Sequence, residues 1–166
     1  MATFLSFPFL IAAVMVQSAI ISRLPLLQGT ANLVQLVLIA WGLQERVNNS
    51  WVWVILGGFL VSYVSALPFF TPLIVFLVVN ALTRLFQSRI WQTPILAMLM
   101  LSVLATFIEH FVSIFALRLV GTVIPLGITL KQITLPSTLL NLLFALPVYA
   151  VMHDLANSLY PLEVEV

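Results

Sequence analysis

Glu109 is the residue in this sequence most able to do chemistry, because it sits where a carboxyl group is hardest to keep. It lies about two-thirds of the way along the apolar stretch 93–118, and no ionisable residue occurs in the interior of the other membrane-length apolar stretches. At about 100° per residue, Ser102, Thr106, Glu109 and Ser113 fall within one narrow helical stripe, with His110 on its flank. A carboxylate at bilayer depth costs roughly 2.5 to 3.5 kcal/mol on insertion scales, so this stripe should face protein or water rather than lipid. Three uses of Glu109 stay open from its position. It can be a buried carboxyl hydrogen-bonded to Ser102, Thr106 or a neighbour such as Asn80, a contact to a partner's membrane helix, or part of a proton or substrate pathway.

Other chemistry finds little footing. His110 beside Glu109 and His153 beside Asp154 invite a metal site, but His110 lies deep along its helix while His153 belongs to the opposite end of the last one. Adjacent residues also point about 100° apart on a helix. No metal, cofactor or catalytic residue is therefore expected. The absence of cysteine removes thiolate ligands and thiol catalysis. There is no Gly-x-Ser-Gly motif, Asp154 is the sole aspartate, and Gly57-Gly58 lies inside an apolar run where it cannot cradle phosphate.

The elements that must position this stripe are membrane helices. With 63% hydrophobic and 7% charged residues over 166 residues, and a mean hydropathy of +1.21, a soluble globular class is excluded. About 20 residues per span gives room for five or six helices in one transmembrane domain. The expected architecture is an all-α polytopic bundle of six helices, approximately 4–22, 31–43, 51–67, 70–86, 93–118 and 136–154. A net charge of +1 without a basic run gives no footing for nucleic-acid binding.

In chain order, residues 1–22 carry no charge and lack the basic start of a cleaved signal, so they read as a retained first span. Pro25 and Gly29 break the chain before a short second helix whose Asn32, Gln35, Ile39 and Gly42 share an inward face. Trp51 and Trp53 open the third helix as interfacial aromatics, and Gly58, Ser62 and Ser65 share one side as a small-residue packing seam or, alternatively, as the lining of a ligand site. The fourth helix carries Asn80 and Thr83 and ends in the basic pair Arg84 and Arg89. Trp91 marks the interface, and Pro94 opens the fifth helix. Residues 119–135, with Gly121, Pro125, Gly127 and Lys131, read as a broken interfacial or re-entrant connection resting on protein. The last span starts at Pro136, carries Thr138, Asn141, Ala145 and Tyr149 on one face, and is kinked by Pro147. An acidic tail with Glu163 and Glu165 closes the chain. Basic residues divide three against three between the two sides, and only the clustered Arg84 and Arg89 tilt the termini inward.

Three local patterns resemble the rod shape-determining protein MreD family. They are Val16-Gln17-Ser18-Ala19-Ile20-Ile21, then Gly57-Gly58-Phe59-Leu60 followed by Leu67-Pro68, and Leu135-Pro136-Ser137-Thr138-Leu139-Leu140-Asn141-Leu142-Leu143 continuing to Ala145-Leu146-Pro147-Val148-Tyr149. The sequence departs from the family at Ala31-Asn32, where Pro-Asp is common, and at Ser62, Tyr63 and Ser65, where an acidic residue is expected. The resemblance implies a non-enzymatic scaffold of the elongation machinery in the bacterial inner membrane, with six helices and both termini cytoplasmic. Implied partners are MreC, the RodA glycosyltransferase, a class B penicillin-binding protein and MreB, in contact with the lipid bilayer. The 119–135 segment is then expected to meet MreC outside the membrane. A different class, the substrate-binding subunit of an energy-coupling-factor vitamin transporter, is architecturally similar. Its usual Ala-x-x-x-Ala docking motif is missing here, since Ala12 and Ala13 are followed four residues on by Val16 and Gln17.

Overall fold

The computed structural model describes residues 2–23, 26–89, 93–122 and 124–160. Pro25, Trp91, Glu163 and Glu165, to which the sequence assigned roles, lie outside the described residues. The structure is all-helical in class, with no strand among the described residues. Six helices follow one another: α1 (Ala2–Ala19), α2 (Leu33–Gly42), α3 (Ser50–Val64), α4 (Thr71–Arg89), α5 (Pro94–Leu119) and α6 (Leu126–Leu159). By length and composition α4, α5 and α6 are able to cross a membrane, whereas α2 and α3 are apolar but shorter.

Helix α2 is the centre of the molecule. Every residue from Val34 to Gly42 is buried, and the helix packs against each of the other five. A helix apolar but for Gln35 has almost no face to give to solvent, so this ten-residue element occupies the interior instead, with the Gln35 amide buried and unpartnered. Around it α1, α3, α4, α5 and α6 are neighbours in that order. Between the two ends of this ring, α1 and α6, runs an apolar groove of about 430 Å³. The neighbouring helices α3 and α4 meet closely at Gly58, where a Cβ would stand 2.6 Å from Leu73 Cδ1 and 3.0 Å from its Cα. Only glycine permits that approach, the packing role expected of small residues in membrane helices.

Several sequence expectations are corrected by this arrangement. The last helix begins ten residues before Pro136, at Leu126, so most of 119–135 is helical rather than broken. The turn Leu130–Thr134 is π-helical, and Pro136 follows it. Proline lacks the N–H that would bond the carbonyl four residues back. Here the Gln132 carbonyl accepts the backbone N–H of Gln28 instead, at 3.1 Å.

The irregular backbone that the sequence placed at 119–135 is found at 26–32. That segment lies along α6, with Thr30 N–H donating to Ser137 Oγ at 3.1 Å and Asn32 N–H to Asn141 Oδ1 at 2.8 Å. Alternate residues 28, 30 and 32 thus find acceptors on one helix, which is how non-helical backbone is accommodated away from water. Gly29 makes the contact possible, because a Cβ there would stand 2.6 Å from the Ser137 nitrogen. Trp53 is not interfacial either. It is fully buried and stacked on Trp41 with centroids 4.4 Å apart, while Trp51 is exposed. Residues two apart on a helix diverge by about 200°, so one tryptophan of the pair had to turn inward. Pro147 lies inside α6 and lines the groove beside α1.

Candidate functional site

The polar stripe of α5 meets the start of α2 and the middle of α6. Asn32 is the N-cap of α2, its Oδ1 accepting from Gln35 N–H at 3.1 Å. A second orphan donor of that helix end, Val34 N–H, is satisfied by Gln17 Oε1 of α1 at 3.0 Å. The Asn32 Nδ2 then donates to Glu109 Oε1 at 2.7 Å, and the Asn32 N–H donates to Asn141. Asn141 Nδ2 donates in turn to Thr106 Oγ1 at 2.8 Å, and that hydroxyl donates to the Ser102 carbonyl at 2.7 Å. One connected network therefore ties α1, α2, α5 and α6 together. Thr106 is the thirteenth of the 26 residues of α5, so the network crosses that helix at its middle.

The electrostatics of the network agree with an acid at this place. The N-terminus of α2 carries partial positive charge, worth about 0.3 to 1 kcal/mol to a nearby anion and more when sheltered. Glu109 is half-buried and lines a cleft of about 190 Å³ among α1, α3, α4 and α5. Gln17, Ser18, Asn32, Ser65 and Ser113 join Glu109 in the polar part of that cleft, and Val14, Val61, Val64, Leu67, Pro72, Val75 and Phe76 form the apolar part.

The residues singled out from sequence divide by location. Ser102, Thr106, Glu109 and Asn141 join the network, and Ser113 lines its cleft. His110 lies to one side, its Nδ1 3.0 Å from Thr134 Oγ1 on the π-helical turn. Gly58 and Ser62 are buried in α3, and the Ser62 hydroxyl has no hydrogen-bond partner. Tyr149 is half-buried at the other end of the bundle, stacked on His153 with centroids 6.0 Å apart. His110 and His153 are thus remote from each other, and among the described residues no group of three His, Cys, Asp or Glu side chains could hold a metal ion. The partner of Glu109 is Asn32 rather than Asn80, whose amide is buried without a partner.

Sequence reasoning missed two things here. Gln17 was read only as part of an apolar motif, yet it caps α2 from another helix, a role that no local signal announces. Arg84 was read as a loop charge, but its guanidinium donates to Ser50 Oγ, to the Val47 carbonyl at 2.6 Å and to Gln87 Oε1, fastening the 43–50 turn to α4. Beside that turn, Gln44, Glu45, Arg46, Tyr149 and His153 line a second cleft of about 230 Å³. The structure thus defines a class: a helical bundle of membrane-spanning composition, held by a polar network inside and cleft at both ends. Comparison with protein-family models, curated proteins and solved structures finds no match for the chain.

Proposed function

We propose that this protein is a non-enzymatic membrane scaffold that presents a docking groove to the transmembrane helix of a partner. More particularly, the scaffold is of the MreD kind, six spans with cytoplasmic termini in the bacterial inner membrane, and the helix it receives is the anchor of MreC. Through MreC it would support RodA, its penicillin-binding partner and MreB in wall synthesis during elongation. The observation that carries this reading is the groove between α1 and α6, floored by Leu33 and Val37 of α2 and walled by Ala12, Ala13, Pro147 and Val151. The lining is apolar throughout, and the small Ala12 and Ala13 between Phe9 and Val16 leave room on the α1 wall for the close backbone approach that favours helix association in lipid. The vitamin-transporter reading is less well supported, because the two clefts with polar groups, about 190 and 230 Å³, fall below the 300 to 1,000 Å³ typical of ligand pockets, and the groove of about 430 Å³ is lined by apolar side chains alone.

Native mass spectrometry of the protein released gently from its own membranes tests the reading. Recovery with MreC is the expected result, and recovery with an ATPase module and a tightly held small molecule would move the protein to transport. Ala12 is exposed on the groove wall, so Ala12→Trp should fill it, leaving the melting temperature unchanged while abolishing MreC recovery. Full recovery of MreC with Ala12→Trp would remove the groove from the argument.

A further inference from the structure

An ionisable carboxyl at Glu109 is more than its structural task needs. Asn32 Nδ2 requires one acceptor oxygen at 2.7 Å, and a glutamine in place of Glu109 would offer the same oxygen without an ionisable group. An ionisable group inside an apolar bundle is retained at a cost, which makes it a functional-site hypothesis by default. Among the described residues the hydrogen-bond partner of Glu109 is the Asn32 amide, not a cation. Among the described residues lining the cleft, Glu109 is the sole charged one. The next basic residue along α5 is Arg118, nine positions on and about 14 Å away along the axis.

The remaining lining completes a recognisable chemistry. Beside the carboxylate stands Ser113, one turn further along α5, whose hydroxyl oxygen is an available kind of acceptor. Opposite are Val61, Val64 and Val75, which suit an alkyl stem rather than a polar one. The volume of about 190 Å³ corresponds to about six water molecules at about 30 Å³ each. That is the space of a short amine. Because Val14 and Gln17 are near the end of α1, Val64 and Ser65 at the end of α3, and Pro72 at the start of α4, the cleft belongs to one end of the bundle and is reached from there.

We propose that this cleft is a binding site for a small organic cation, an alkylammonium or guanidinium group whose charge meets Glu109 while its stem lies along Val61, Val64 and Val75. The site stands apart from the scaffold reading, because it uses neither the groove between α1 and α6 nor any residue lining it. Two sources can deliver the same chemistry: a free amine, or a basic side chain carried by another polypeptide.

The test uses the full chain purified in detergent, with n-butylammonium as probe and n-butanol as its uncharged counterpart. The expected result is a saturable rise in melting temperature with n-butylammonium, none with n-butanol, and affinity at least tenfold weaker in Glu109→Gln. Ser113→Phe keeps the Glu109–Asn32 bond and fills the cleft, so it should lose the effect as well and serves if Glu109→Gln folds poorly. In a second arm, a membrane-spanning leucine peptide bearing one lysine near its end is compared with an all-leucine copy for co-elution. Binding of the free amine assigns the site to a small molecule. Glu109-dependent binding of the lysine peptide alone assigns it to a polypeptide cation. Binding of neither, or equal responses to n-butylammonium and n-butanol, overturns the proposal.

Discussion

Asn141 shows how much one buried amide can hold. Its carbonyl oxygen accepts from the backbone of Asn32 and its nitrogen donates to Thr106, so a single side chain joins α6 both to the start of α2 and to α5. Only 2% of it is exposed, so water cannot substitute for either bond. Asn141→Leu would leave the Asn32 N–H and an acceptor position on Thr106 unmet, each costing about 1 to 3 kcal/mol. A clear fall in the detergent melting temperature is expected, and an unchanged midpoint would show that the network relaxes around the loss. At this scale the stripe Ser102, Thr106, Glu109 and Ser113 was legible because helical periodicity is a local property. The bond from Glu109 to Asn32 was not, since 77 residues of chain separate the two.

Among the elements, the junction of the 26–32 segment with α6 depends on a hydrogen bond that proline declines to make. Pro136 leaves the Gln132 carbonyl open, the π-helical turn before it widens the helix, and Gln28 supplies the missing donor. Pro136→Ala would restore a competing N–H within α6. Exchange at the Gln28 amide is then expected to quicken, with a stability change of about 1 kcal/mol or less because one bond is traded for another. Hydrogen exchange resolved by residue checks this, and unchanged protection at Gln28 would separate the loop from the proline. The same junction explains why 119–135 was misread. Gly127 and Pro136 are helix breakers by composition, but Gly127 stands in the first turn and the donor lost at Pro136 is replaced from outside the helix.

For the molecule as a whole, the consequence of placing α2 at the centre is a gradient of stability. Its backbone is covered by all five other helices, and its end is anchored through Trp41 stacked on Trp53. The amides of residues 36–42 should therefore exchange more slowly than any others, near the global unfolding limit, while residues 126–128 at the exposed start of α6 exchange early. Exchange followed by mass spectrometry in detergent measures both. Early exchange in α2 would mean that the bundle opens through its centre rather than at its ends.

Composition and local period were sufficient for the helical class, for the apolar lengths of α4 and α5, and for the polar stripe of α5. Each of these follows from interactions within about one turn of helix. Asn32 before an apolar run was likewise visible as an inward residue, though not as the cap it forms. Only the tertiary structure decided which short apolar helix would be enclosed by the others, which tryptophan would turn inward, and where irregular backbone would find its hydrogen bonds. Those outcomes depend on which distant surfaces meet, because a buried donor accepts whatever partner the packing brings to it. Glu109 stands at the boundary between the two kinds of knowledge: its oddness was local, and its partner was not.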